Sequence, residues 1–207
     1  MYNKAIKIYI VKIHFIEVNM NVYDFDNTIY DGESVVDFFL YYCKKDKALI
    51  KFLPSLMLAL VKYKQGKVTV EEALNKYGKQ FSEFYKKNIG IGDDLIDFWD
   101  THMHKIKPFY EEIRSDDDLI ISGSPEISLD IICKRLGIKR YIGSLIDNET
   151  GEITRLCIRE KKVEAFFKEY PNAEIENFYT DSVNDTPLIE ISKNAYLVKG
   201  NKITKIK

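Results

Sequence analysis

Three apolar runs in this chain stop abruptly at small clusters of oxygen-bearing side chains: NVYDFDNT at 21–28, LIISGS at 119–124 and NFYTDSVND at 177–185. Each reads as a buried strand running into a polar turn. Helical patterns alternate with them. SPEISLDIICKRLG (124–137) carries Pro125 in its first turn and Gly137 as its stop. KKVEAFFKEY (161–170) is closed by Pro171, TPLIEI (186–191) opens a short helix, and AYLV (195–198) is a last strand. Strands alternating with helices on apolar runs imply a parallel sheet covered on both faces. Chains of this kind work at the carboxyl ends of their strands. If the three strands are neighbours, Asp24, Asp26 and Thr28, then Ser122 and Ser124, then Asp181 and Asp185 converge.

The texture between the first two strands is different. From Glu33 to about Tyr110 the spacing is helical throughout: Val36, Phe39, Leu40 and Cys43 share a face, and Leu95, Phe98, Trp99, His102, Met103 and Ile106 repeat the pattern. TVEE (69–72) is a capping box, followed at helical spacing by Ala73, Leu74, Tyr77, Phe81 and Phe84. The organisation expected is an α/β, Rossmann-like three-layer core over 20–32 plus 111–207, split by an α-helical cap over 33–110. The cap holds one strongly apolar stretch, LIKFLPSLMLALVKYK. Its run from Ala48 to Val61 is 14 residues and contains Lys51 and Pro54, whereas a membrane span wants roughly 18 or more. Burial within the cap is the reading taken, interfacial contact being the other, and no stable membrane insertion is expected. HMH at 102–104 offers two imidazoles at i and i+2, which leave a helix on different sides, so a metal pair is not expected.

Residues 1–19, with partial alternation in IKIYIVKIHF, read either as an extra edge strand or as an extension upstream of a functional start at Met20. The extension is the reading adopted. Lys7, Lys12 and His14 interrupt the apolar residues, which is unlike a signal peptide. With 31 basic and 32 acidic residues the net charge is −1, without the basic excess of a nucleic-acid binder. Cys43, Cys133 and Cys157 are odd in number and widely spaced, which suits a reducing cytoplasm rather than a disulfide framework or a zinc site. Oligomeric state is not legible.

Four aspartates meeting in one cleft cannot all stay ionised unaided. Two like charges ~4 Å apart repel by about 4 kcal/mol at an effective dielectric of about 20. Either some are protonated or a cation sits among them. Oxygen-only donors with room for water point to Mg²⁺. Ser122 and the backbone N–H groups around Gly123, at a helix start, suit a phosphate, and a lysine at 161 or 162 would add positive charge. Those are the parts of phosphoryl transfer: a carboxylate nucleophile, charge neutralisation, and a second carboxylate to serve as acid and then as base. Physics alone leaves open which of Asp24 and Asp26 attacks.

DFDNT, ISGS, a downstream lysine and DSVND, in this order, resemble the four motifs of the haloacid dehalogenase (HAD) superfamily of phosphatases. The helical insertion after the first motif resembles the C1-type cap of its phosphoserine-phosphatase-like branch, subfamily IB. SGSPEISLDIICKRLGI and YTDSVNDTPLIE are similar to stretches of that branch, and the resemblance covers about residues 20–198. It implies a Mg²⁺-dependent phosphatase of small phosphomonoesters working through an aspartyl-phosphate. In it Asp24 is the nucleophile, and Asp26 is the general acid/base that also offers its backbone carbonyl to the metal. Thr28 supports the loop, and Ser122 with Gly123 binds the phosphoryl group. Lys162, preferred to Lys161 because it precedes Val163, is the catalytic lysine. Asp181 is a metal ligand, and Asp185 holds the metal site or the lysine. Glu33 stands where the branch meets a substrate amine. No arginine occurs from residue 33 to 113, so the partner for a phosphoserine carboxylate is missing, and another small phosphomonoester or a phospholipid head group is favoured. A phosphotransferase or mutase on the same intermediate and a non-catalytic metal- or phosphate-binding module are the alternatives.

Overall fold

A computed structural model describes residues 18–65 and 91–207, together with Lys67, Thr69, Glu72 and Ser82. Residues 1–17, hence most of the expected extension, and Ala73, Leu74, Tyr77, Phe81 and Phe84 lie outside the described residues. The chain enters with β1 (Val18–Tyr23) and leaves the sheet for α1 (Ser34–Lys45), a 3₁₀ turn (Lys47–Phe52) and α2 (Leu53–Lys64). It returns through α3 (Ile91–His102) and α4 (Pro108–Ile113). There follow β2 (Leu119–Pro125), α5 (Glu126–Leu136), β3 (Arg140–Ile146) and β4 (Ile153–Arg155), then α6 (Glu160–Glu169), β5 (Ala173–Thr180), α7 (Thr186–Ile191), β6 (Asn194–Lys199) and β7 (Lys202–Lys205).

The strands form one seven-stranded sheet in the order β4-β3-β2-β1-β5-β6-β7. The five inner strands are parallel, and β4 and β7 pair antiparallel at the two edges. The strand period of two sends alternate side chains to opposite faces. Met20 and Val22 of β1 and Leu119 and Ile121 of β2 pack with Ala165 and Phe166 of α6 and Leu188 of α7. Tyr23 and Ile120 point the other way, into a cluster with Phe98 and Trp99 of α3, Tyr110 of α4 and Leu129, Ile132 and Cys133 of α5. The result is the α/β three-layer arrangement expected. Its outer helix layer includes α3 and α4, so the last part of the helical insertion builds the core rather than standing apart from it.

Local signals carry most of the element boundaries. Gly137 takes a left-handed φ of 72° and its N–H caps the end of α5. Thr69 and Glu72 make the reciprocal capping pair, Thr69 N to Glu72 Oε2 at 2.9 Å and Glu72 N to Thr69 Oγ1 at 3.2 Å. The rings of His102 and His104 stack at 6.1 Å, and His102 Nδ1 lies 2.8 Å from the Phe98 carbonyl. Within the apolar stretch around 48–61, expected to be buried in the cap, Ile50 (51%), Leu58 (50%), Val61 (46%) and Met57 (44%) are exposed. Among the described residues no helix is long and apolar enough to cross a membrane.

Candidate active site

β1 lies between β2 and β5, and its parallel neighbours end at the same edge of the sheet. That places the residues after Tyr23, at Ser122–Ser124 and after Thr180 side by side. Asp24 continues the pairing for one residue beyond β1, donating its N–H to the Tyr179 carbonyl at 2.9 Å. The chain then folds into a tight loop, in which the Phe25 carbonyl accepts the N–H groups of Thr28, Ile29 and Tyr30. Phe25 and Ile29 are fully buried beneath it. Asn27 takes a positive φ of 58°, a region asparagine enters more readily than most residues. Its N–H closes the loop on the Gly32 carbonyl at 2.9 Å.

Within this loop the two aspartates face different surroundings. Asp24 Oδ1 accepts from Lys162 Nζ at 2.7 Å, and Asp24 Oδ2 accepts from Thr28 Oγ1 at 3.2 Å. The same Lys162 ammonium donates to Asp185 Oδ2 at 2.9 Å, which also receives Thr180 Oγ1 at 2.9 Å. Asp24, Lys162 and Asp185 are all buried. Lys161, one position away, is exposed and pairs with Glu164 on its own helix. Asp26 touches none of these groups. Its Oδ1 accepts the backbone N–H of Ser34, the first residue of α1, at 2.7 Å, and its Oδ2 accepts Ser124 Oγ at 2.7 Å. The Ser34 and Ser124 hydroxyls meet at 3.0 Å.

The electrostatics follow from those partners. Burial pushes the Asp24 carboxyl up to about 7; Lys162 opposes the shift, and the nearby charges of Asp185 and Asp181 add to it. Burial likewise raises Asp26 to about 6, with Glu33 adding to the shift and the hydrogen bonds from Ser124 and Ser34 restraining it. For Lys162, burial works against the charge, but Asp185 and Asp24 outweigh it and hold the ammonium well above its ordinary value.

The remaining predicted residues sit close by. Ser122 is buried, and its Oγ accepts the Ser124 N–H at 3.0 Å. A Cβ at Gly123 would come within 3.1 Å of Ile158 Cγ2. Glu33 receives Asn27 Nδ2 at 2.5 Å, inside the loop. Asp181 follows β5 directly, and its carbonyl accepts Lys199 Nζ at 2.5 Å. Sequence reasoning passed over Ser34, Thr180 and Lys107. Lys107 is buried and donates from Nζ to the Asn27 carbonyl, and burial lowers its pKa. Ser34 resembles any helix-start serine, and the other two carry no local signal, since only their neighbours across the sheet give them a role.

Among the described residues no three His, Cys, Asp or Glu side chains stand close enough to enclose a metal ion by themselves. The donor chemistry nevertheless suits a hard cation held by few protein oxygens. Asp24 and Asp185 share one buried ammonium while Asp181 adds a third negative charge. The cluster therefore carries surplus negative charge, and its donors are carboxylate and carbonyl oxygens, as Mg²⁺ prefers.

The family model described as haloacid dehalogenase-like hydrolase matches residues 22–190. No curated protein matches the chain. Among solved structures, the fold is similar to that of a protein of unknown function from Bordetella pertussis Tohama I, with a TM-score of 0.69 at 16% identity, over 86% of this chain and 89% of that one. It is also similar to a phosphoserine phosphohydrolase-like protein from Francisella tularensis subsp. tularensis SCHU S4, with a TM-score of 0.59 at 17% identity, over 86% of each chain. A phosphoserine phosphatase from T. onnurineus aligns with a TM-score of 0.55 at 20% identity, over 86% of this chain and 82% of that one.

Proposed function

We propose a phosphatase on the premise that this chain belongs to the haloacid dehalogenase-like hydrolase family. Asp24 is the nucleophile and Asp26 the proton carrier. The observation that carries this reading is the separation of the two aspartates: Asp24 lies on the buried ammonium of Lys162, while Asp26 is held apart by Ser34 and Ser124 with no cation beside it. The Lys162 ammonium opposes the burial that raises Asp24 and sets its carboxylate beside positive charge, whereas only hydroxyl and N–H hydrogen bonds restrain Asp26.

In the first step an Asp24 carboxylate oxygen forms a bond to phosphorus as the ester P–O bond breaks, and Asp26 gives its proton to the departing alcohol oxygen. In the second, Asp26 takes a proton from water, the water oxygen bonds to phosphorus, and the Asp24–phosphorus bond breaks to release phosphate. Ser122 and the backbone around Gly123 bind the phosphoryl oxygens, and Lys162 offsets their charge. Thr28 holds the second Asp24 oxygen, and Asp185, with Thr180 behind it, positions Lys162. Asp24, Asp181 and the Asp26 carbonyl would hold Mg²⁺, which when bound supplies charge neutralisation to the phosphoryl group.

The helical insertion of residues 33–110 acts as the cap that selects a small phosphomonoester, its last part, α3 and α4, being anchored in the core. Two of the similar folds belong to a phosphoserine phosphatase and a relative of one. Phosphoserine is not carried over, because the segment from 33 to 113 has no arginine for the substrate carboxylate and lysine does not reproduce bidentate recognition. Turnover of an aryl phosphate with and without Mg²⁺, in the native chain and in Asp24→Asn, tests the proposal. Metal-dependent turnover lost by at least about 10³-fold in a folded Asp24→Asn variant is expected. Native-like rates in that variant would remove Asp24 from its role.

A further inference from the structure

Among the described residues, exposed apolar side chains gather on α2 and the turn before it. Met57, Leu58 and Val61 recur at helical spacing and so share one side of the helix, and each is between 44% and 50% exposed. Ile50 and Phe52, in the preceding 3₁₀ turn, are 51% and 37% exposed. Scattered exposed hydrophobics need no explanation, but five within twelve residues do.

The charge around them is equally lopsided. Between Lys44 and Lys67 the sequence holds seven lysines, at 44, 45, 47, 51, 62, 64 and 67, and a single acidic residue, Asp46. This segment carries +6 while the whole chain carries −1, so the remaining residues carry −7. Asp46 is spent locally, its carboxylate capping the 3₁₀ turn by accepting the Ala48 N–H at 3.0 Å. Lys44, Lys47 and Lys51 are exposed, and the Lys51 ammonium lies 5.0 Å from the centroid of the Phe52 ring. Cations interleaved with exposed apolar side chains match the interfacial region of an anionic bilayer, where methylene stems and apolar tips enter the acyl boundary and ammonium groups meet headgroup phosphates.

We propose that the segment from Lys44 to Lys64 is a docking surface for an anionic lipid bilayer, with α2 lying in the plane of the interface. The helix has 12 residues, hence a length of about 18 Å, too short for a hydrocarbon layer about 30 Å thick. It therefore lies on the membrane rather than crossing it. The opposite charge of the rest of the chain turns this side of the molecule toward the lipid. α1 links the surface to the candidate active site: its first N–H is on Asp26 and its last residues, Lys44 and Lys45, begin the basic segment. Docking thus brings the strand-end site within about one 12-residue helix length, ~18 Å, of the bilayer.

The test is co-sedimentation of the full chain with vesicles of phosphatidylcholine alone and of phosphatidylcholine mixed with phosphatidylglycerol. Binding to the mixed vesicles, weakened by added salt, is expected. Leu58→Glu with Val61→Glu should abolish it. Lys44→Glu, Lys47→Glu and Lys51→Glu together should weaken it by about a hundredfold, each lysine being worth about fivefold. Both variants should keep native melting behaviour. In a separate variant, Leu58→Trp, emission should shift to the blue on adding mixed vesicles. The proposal is overturned if the native chain stays in the supernatant with anionic vesicles, or if both charge-bearing variants bind as well as the native chain. It is also overturned if Leu58→Glu with Val61→Glu turns a solution dimer into a monomer without changing vesicle binding, since the surface would then belong to a second copy. Binding is read without catalysis, so its failure leaves the phosphatase proposal standing, and the converse holds.

Discussion

Lys162 Nζ stands 2.7 Å from Asp24 Oδ1 and 2.9 Å from Asp185 Oδ2, a single buried ammonium shared by carboxylates from two neighbouring strand ends. The sheet order makes this possible, because β1 and β5 are adjacent and parallel and α6 packs across the same face. Several measurable consequences follow from the sharing and from the separate confinement of Asp26.

Removing the ammonium leaves two carboxylates buried without their cation. Lys162→Met is expected to lower stability by about 3–5 kcal/mol at neutral pH. Adding Asp185→Asn should restore part of the loss, since one of the stranded charges is then neutral. Urea unfolding of the two variants beside the native chain measures both effects. A loss of less than about 1 kcal/mol in the single variant would mean that the pair is solvated.

The metal-free protein should become less stable as pH rises through the site. Asp24, at about 7, and Asp26, at about 6, lie above the ordinary carboxylate value of 3.8. Between about pH 4 and 7 the folded chain therefore holds more protons than the unfolded one, and stability falls with increasing pH across that window. A divalent ion binds the ionised form, so added Mg²⁺ should raise the melting temperature more at pH 8 than at pH 5. Thermal melts over this range with and without Mg²⁺ check it, and a Mg²⁺ shift that is equal at both pH values counts against a metal among these carboxylates.

Ser124 holds the Asp26 carboxyl at 2.7 Å and restrains its pKa. In Ser124→Ala that restraint is lost, so the limb of the pH–rate profile belonging to Asp26 should move to higher pH. Turnover should fall by about tenfold to a hundredfold, with a smaller change in KM, as a misplaced proton donor requires. A purely structural role for Ser124 would lower the melting temperature and leave the profile where it is.

Gly143 links packing in β3 to the same place. A Cβ there would lie 2.6 Å from the Ser124 carbonyl and 2.8 Å from Leu129 Cδ1, and a backbone atom cannot simply swing aside. Gly143→Ala is expected to cost about 1–3 kcal/mol of stability and to reduce turnover by displacing Ser124. Denaturation and kinetics on one preparation test whether the two losses appear together.

Much of this molecule is legible in its sequence for local reasons. Gly137, Pro171 and the Thr69–Glu72 pair act through the backbone of their own neighbours, so the boundaries they set do not depend on the rest of the fold. Strands β3, β4 and β7 were not anticipated. RYIGSLI carries a glycine where the strand crosses the Ser124 backbone, ITR has three residues, and KITK keeps one partly covered side chain, so each is a strand chiefly through its partner. Ile50, Met57, Leu58 and Val61 are exposed where burial is expected, because hydrophobicity shows that a side chain prefers to leave water, not which surface receives it.

Residue types and order along the chain determined that carboxylates, hydroxyls and a lysine would stand at the ends of strands of an α/β sheet, because alternation and capping are written into neighbouring residues. The family resemblance favoured Lys162 over Lys161 and gave the two first-loop aspartates different roles, but only the tertiary structure gives these side chains their surroundings. One step along a helix turns a side chain by about 100°, which sends Lys161 to Glu164 at the surface and Lys162 to Asp24 beneath the sheet edge. The environments of Asp24 and Asp26 differ through Lys162, Ser34 and Ser124, groups brought to them by other elements, and no pattern local to DFDNT contains that information.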